Sequence, residues 1–199
     1  MHIDDLRSTD SATIDRASVV LVDAFRGISA AWPDLDAARA EVVEALTPGQ
    51  LVRVARDDEG AVLGWIGGIP TYDGRVWEVH SLAVAPAHQR RGVGRALLAD
   101  LEDRVRERGG LTLWLGADDE VGRTSLGGVD PYPDLLGALA GMRNITEHPF
   151  EFYLKCGFVL AGIVPDANGW GRPDILMAKR VSGARTGAGA DASRPGGPV

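Results

Sequence analysis

HQRRGVGRALL, residues 88–98, lies where one periodicity gives way to another. Before it, RVWEVHSLAVAP (about 75–85) reads as a strand. After it, Val93, Leu97, Leu98, Leu101 and Val105 share one helical face that stops at Gly109-Gly110. A strand that ends near Pro86 is therefore followed, after a short connection, by a glycine-containing loop and the start of an amphipathic helix at about Val93. The first turn of a helix leaves backbone N–H groups without partners at the positive end of the dipole, and such a place binds phosphate. Gly92 and Gly94 allow close backbone approach, and Arg90, Arg91 or Arg95 can add charge. A Walker loop would need Gly-Lys-Ser/Thr at its end, which is absent. A dinucleotide fingerprint fails because Leu97 stands where glycine or alanine is required and the loop does not directly follow its strand. What remains is Q-x-x-G-x-G, carried by Gln89, Gly92 and Gly94, against the plainer alternative of an arginine-rich helix start.

Working outward, MHIDDLR reads as a first strand. Ile14, Ala17, Val20, Leu21 and Ala24 mark a helix with Ser11 as its expected cap and Gly27 as its end. A second helix runs from about Asp34 to Leu46. Strands at 51–57 and 61–69 flank a turn at Asp58-Glu59-Gly60 and form a hairpin. LTLWLGA (111–117) has the apolar pattern of a strand buried on both faces. Residues 118–137 are expected to form a long loop. LLGALAGMRN and PFEFYLKC read as helical, and FVLAGIV and ILMAKRV as the last strands. The order β-α-α-β-β-β-α-β-α-β-β implies one mixed sheet with helices on both faces, an α/β (α+β) architecture. Residues 182–199 lack large apolar residues apart from the last and are expected to be a disordered tail, so the domain is expected to span 1–181.

The chain has 199 residues, 45% of them hydrophobic, enough for one domain with a substantial core. A net charge of −7 argues against nucleic acid as partner, because phosphate neutralisation needs a basic surface, and favours a cationic one. The single cysteine excludes an internal disulfide, and the four histidines show no metal-ligand spacing, so no metal is expected. No signal-like leader or membrane-length apolar run is seen, and a cytoplasmic location is expected.

The Q-x-x-G-x-G loop resembles the pyrophosphate loop of the GNAT acetyltransferases. Within that superfamily, WEVHSLAVAPAHQRRGVGRALL, GGLTLWLGADDE, TSLGGVDPYPD, NITEHPFEFYLKCGFVLAGIVPDANGWGRPDILMAKRV and the early AWP together are similar to the aminoglycoside 6'-N-acetyltransferases. The resemblance covers about residues 1–181. One departure is Ser81, where proline is expected between His80 and Leu82. The resemblance implies the GNAT fold, a mixed, mostly antiparallel sheet of about seven strands. It also implies acetyl-CoA as co-substrate, an aminoglycoside as acceptor, direct transfer in a ternary complex, a homodimer and a role in antibiotic resistance. Transfer to another cationic amine (a polyamine, a lysine side chain or a protein N-terminus) and binding of acyl-CoA or drug without turnover are the alternatives.

Attack by an amine on a thioester needs a base for the amine, donors for the oxyanion and an acid for the departing thiolate. By resemblance Glu78 is the base, though it also reads as a strand-end carboxylate paired with an arginine. The backbones of Leu82 and Val84 would hold the pantetheine arm, with the Leu82 N–H aimed at the thioester oxygen. Gln89, Arg90, Arg91, Gly92, Val93, Gly94, Arg95 and Ala96 would hold the pyrophosphate. Tyr153 would be the acid near the thioester sulfur, or else a buried aromatic. Strand alternation puts His80 on the face of Glu78 and Leu82, as a positioning group or a structural histidine. Asp118, Asp119 and Glu120 form an acidic edge, either a substrate contact or solvated surface. Trp32 is a sugar-ring wall or a core residue. Cys156 reads as a structural thiol, since His148, eight residues earlier, would stand about 12 Å away on a regular helix.

Overall fold

The computed structural model describes residues 1–181, so the expected tail at 182–199 lies outside the described residues. The elements are β1 (His2–Asp5), α1 (Ser11–Phe25), α2 (Leu35–Glu44), β2 (Leu51–Arg56), β3 (Val62–Thr71), β4 (Val76–Val84), α3 (Val93–Glu107), β5 (Thr112–Asp118), α4 (Leu135–Ala140), α5 (Phe150–Lys155), β6 (Val159–Val164) and β7 (Asp174–Arg180). They form one seven-stranded sheet in the order β1-β2-β3-β4-β5-β7-β6. Neighbours are antiparallel except β4 and β5, which α3 connects as a parallel crossover.

Each face carries its own core. On one, Leu97, Leu98, Leu101 and Val105 of α3 pack with Leu51, Ile66, Trp77, Val79, Leu113, Leu115, Ile175 and Met177. Each such fully buried side chain contributes about 1.5–3 kcal/mol. Arg53, 5% exposed on that face, is held by Asp5 and by Asp100 of α3 at 2.6 Å, which ties the helix to β2. On the other face α1 and α2 cover Val52, Val54, Trp65 and Ala83. That second core takes nothing from β5, β6 or β7, so among the described residues α1 and α2 leave the far half of this face uncovered.

Several expectations change as a result. β5 is buried on one face only: Leu113, Leu115 and Ala117 are covered, whereas Gly116 and Asp118 are exposed because α1 and α2 stop short of them. The cap of α1 is Asp10, not Ser11; its carboxylate accepts from the Thr13 amide at 3.0 Å and hydroxyl at 2.7 Å. The 118–137 segment is tied down rather than open. Asp119 caps it, Thr124 bridges to Asn144, and Gly128 donates to Gly171. A turn at Tyr132–Asp134 then leads into α4.

Alternation along β4 also breaks. Ser81 has φ 57°, and the β3–β4 register shifts between Trp65 and Gly67. Before this bulge Trp77 and Val79 face α3; after it Ala83 faces α1 and α2, and Leu82 and Val84 pack toward α3. Glu78 and His80 therefore lie on the face opposite to Leu82.

Candidate active site

β4 and β5 pair only from Val76↔Thr112 to Glu78↔Trp114. Past that point β5 continues to Asp118 on β7 alone, so β4 has an open edge from Val79 to Val84. The Ala85 N–H donates to Leu63 at 2.9 Å. By antiparallel alternation residues 83 and 85 turn their backbone groups to β3, and those of Leu82 and Val84 turn to the gap. The Val84 carbonyl there receives the side-chain amide of Gln89 at 3.1 Å.

Beside the gap stands the start of α3. Gly92 occupies the N-cap with φ 88°, a left-handed value that favours glycine, and among the described residues no side chain caps the helix. The first intrahelical bond is Ala96 N–H to Gly92, so the amides of Val93, Gly94 and Arg95 have no helical acceptor. Val93 is buried and can offer only its backbone. Gly94 faces Val84 and Phe152, which brings helix start, open edge and α5 together. Arg91 and Arg95 are exposed without an ion pair among the described residues, whereas Arg90 is paired with Glu147 at 2.6 Å. Strand-edge amides leading to an uncapped helix start suit an extended, amide-bearing arm that ends in phosphate.

α5 closes this side. The Tyr153 ring packs edge-on against Phe152 and Phe158, with centroids 5.1 and 5.6 Å away. Its hydroxyl makes no hydrogen bond among the described residues, and burial, then the nearby Cys156, push its pKa well above the usual phenol value. The phenol is thus protonated at neutral pH. Cys156 caps the end of α5, and burial raises its thiol against the opposing Arg95 and Lys179. His148 is not its base, because both ring nitrogens are committed: Nε2 to the Asp118 carbonyl at 3.1 Å, Nδ1 accepting from the Phe150 amide. Buried at 2% exposure, it is held neutral mainly by desolvation.

The opposite face is acidic. Glu78 adjoins Trp114, and alternation puts Trp114, Gly116 and Asp118 of β5 with Asp174 of β7 on the same side. A Cβ at Gly116 would collide with the Asp174 carboxylate, which lies across that glycine. Asp174 Oδ1 is buried without a partner among the described residues. Burial first, then the charges of Asp118 and Glu78, raise its pKa to about 6. Asp118 Oδ1 accepts from Asn168 at 2.5 Å and its side chain is exposed. Asp119 is a correction: at 0% exposure it accepts from the amides of Arg123 and Thr124 and the Thr124 hydroxyl, so it holds the loop and cannot meet a substrate. Glu120 accepts from the Ala30 amide and links this loop to the one between α1 and α2.

His80 binds Glu41 of α2 at 2.7 Å and comes to 3.9 Å from Glu78. Trp32 packs edge-on to Phe25 at 4.8 Å and donates its indole N–H to Glu41 at 3.3 Å. The structure therefore brings Glu78, His80, Trp32 and Asp118 to the acidic side and Leu82, Val84 and the 89–96 loop to the gap, with Tyr153 on the adjoining α5 beside Phe152, which lies against Gly94. Sequence reading missed Glu41, Trp114, Phe152 and Asp174. Only Trp114, between the alternating Leu113 and Leu115, carried a local signal. Among the described residues no group of three or more His, Cys, Asp or Glu could hold a metal ion, and no helix is long and apolar enough to cross a membrane.

A helix start that suits phosphate, a parted pair of strands and a cation-attracting face define an acyltransferase site. Consistently, residues 20–125 match the acetyltransferase (GNAT) family model, and the chain belongs to that family. It is similar to a solved aminoglycoside 6'-N-acetyltransferase complexed with coenzyme A, at 34% identity and TM-score 0.83 over 92% of this chain and 98% of the other. The aminoglycoside 6'-N-acetyltransferase from Enterococcus faecium gives the same figures. Aminoglycoside 6'-acetyltransferase type Ii matches at 30% identity and TM-score 0.70, covering 92% and 99%. No curated protein sequence matches the chain.

Proposed function

We propose that this acetyltransferase moves the acetyl group of acetyl-CoA to the 6'-amine of an aminoglycoside. The observation that carries the reading is the gap between β4 and β5, which separates an anion-suited backbone site from an acidic face bearing Glu78, Asp118 and Asp174. The relatives named above support the acceptor. Leu82 and Val84 would hold the arm through their backbones, and Gln89, Arg91 and the amides of Gly92 to Arg95 the pyrophosphate, with Ala96 closing the first turn behind them; the bound thioester supplies the acetyl group. Glu78 takes the proton from the ammonium, directly or through water. Asp118 and Asp174 attract the polycation, and Trp32 and Trp114 flank it. Tyr153, kept protonated, faces the leaving sulfur.

The cytoplasm, where acetyl-CoA is made, is the expected place of action, with a homodimer as the working form and drug resistance as the physiological effect. Residues 1–181 would suffice, so a chain ended at Val181 should retain full turnover. The decisive experiment measures coenzyme A release with aminoglycosides that have or lack a 6'-amine, beside spermidine and lysine peptides, and locates the acetyl group by NMR. Release that requires the 6'-amine supports the reading. Preference for spermidine or peptide would overturn the acceptor, and no release with any amine would overturn the enzyme.

A further inference from the structure

Glu41 lies along α2, on the side that faces the sheet, and collects donors from separate parts of the fold. Its carboxylate takes Nε2 of His80 at 2.7 Å, Nε1 of Trp32 at 3.3 Å and the Ser81 hydroxyl at 3.4 Å. We propose that Glu41 is a positioning residue for acetyl transfer, holding the His80 ring so that its Nδ1 edge stays turned toward Glu78. The inference rests on the acetyltransferase reading above and adds to it a residue that never meets the reacting atoms.

His80 stands between two carboxylates, with Nε2 on Glu41 and Nδ1 3.9 Å from Glu78 Oε1. An Nε2–H given to Glu41 turns the Nδ1 edge toward Glu78, where it is an acceptor in the neutral imidazole and a donor once the ring carries its second proton. The charge-assisted bond to Glu41 also opposes rotation of the ring. The charged groups facing His80 are acidic from every side: Glu41 and Glu44 from α2, Glu78 from its own strand. The Glu41 hydrogen bond is the largest of the influences that raise the imidazole pKa, and burial opposes it. The same bond is the chief reason that the Glu41 carboxyl lies below its ordinary value. His80 thus keeps its second proton to higher pH than a free histidine, an advantage that depends on Glu41.

Ser81 belongs to the same device. Its φ of 57° is closed to proline, whose ring locks φ near −65°. The serine that stands here in place of the expected proline therefore permits the bulge and adds a third donor to Glu41.

The test pairs a titration with a kinetic cycle. In full-length protein carrying ring-labelled histidine, Glu41→Gln should lower the His80 NMR titration midpoint by about one pH unit, the loss of one charged neighbour. It should reduce kcat about tenfold with the KM for acetyl-CoA unchanged. In a His80→Ala background the same substitution should cost no more than twofold, because Glu41 acts through that ring. An unmoved midpoint, or an equal loss in both backgrounds, overturns the inference. Failure of the function shows differently: wild-type protein that releases no coenzyme A with any amine refutes the acetyltransferase reading, while the titration still judges the Glu41–His80 bond.

Discussion

The α3 side and the acidic side of the sheet are built from different materials. On the α3 side the groups that can hold a ligand are main-chain amides: the Leu82 and Val84 edge, then the uncapped start of α3 at Gly92. On the acidic side they are side chains delivered by α2, β4, β5 and β7. Backbone sites constrain sequence only where a side chain would block or strain them, so their partners can vary. Side-chain sites depend on each charge and on the scaffolds that aim it. Substitutions should therefore separate the two: the α3 side should fail in acetyl-CoA binding, the acidic side in turnover or amine binding.

The largest effect is expected at Glu78. Glu78→Gln should lower kcat at neutral pH by about 10- to 10⁴-fold while leaving acetyl-CoA binding intact in calorimetry. A wild-type rate would remove Glu78 from the role of base. Next, Tyr153→Phe should lower kcat about tenfold with little change in acetyl-CoA affinity; loss of affinity alone would make the ring a packing element. Gly92→Ala forces a side chain into a left-handed conformation costing about 1–2 kcal/mol. The KM for acetyl-CoA should then rise about tenfold and that for the amine should not; equal rises would erase the division between the two sides.

Asp174 tests the acidic side by pH. Its folded pKa of about 6 exceeds the ordinary 3.8, so the folded protein holds the extra proton more tightly than the unfolded chain. That stability is complete below about pH 3.8 and is lost as pH rises toward 6. Asp174→Asn should accordingly melt a few degrees higher than wild type at pH 7.5. Wild-type amine affinity should strengthen as pH rises through 6, and the variant should lose that rise and bind severalfold more weakly at pH 7.5. A flat wild-type profile would detach Asp174 from the substrate. Smallest of all, Cys156→Ala should change turnover less than about twofold, and an acetylated Cys156 found by mass spectrometry would overturn direct transfer.

The α3 side was legible from residues 88–98 because its chemistry is local: a strand end, two glycines and a helix start contiguous in the chain. The partners of the acidic side are not contiguous. Glu41 precedes His80 by 39 residues, with the β2–β3 hairpin between them, and Asp174 meets Gly116 only because β7 inserts between β5 and β6. Asp118 and Asp119 looked alike in sequence, yet one is exposed and the other is enclosed by the loop it caps. Alternation misled at His80 and Leu82, since a single left-handed residue, Ser81, reverses the faces.

By itself, the sequence determined the order of the strands and of the first three helices and the glycine-bearing loop before α3, and it proposed Glu78 and Tyr153, since periodicity, glycine placement and family pattern are properties of neighbours in the chain. Tertiary structure alone decided which face each side chain serves, that β5 is open on one side, and that Glu41 commands His80. Those facts depend on how far α1 and α2 extend over the sheet, where β4 bulges and where β4 and β5 part, and strand register across long sequence separations sets all three.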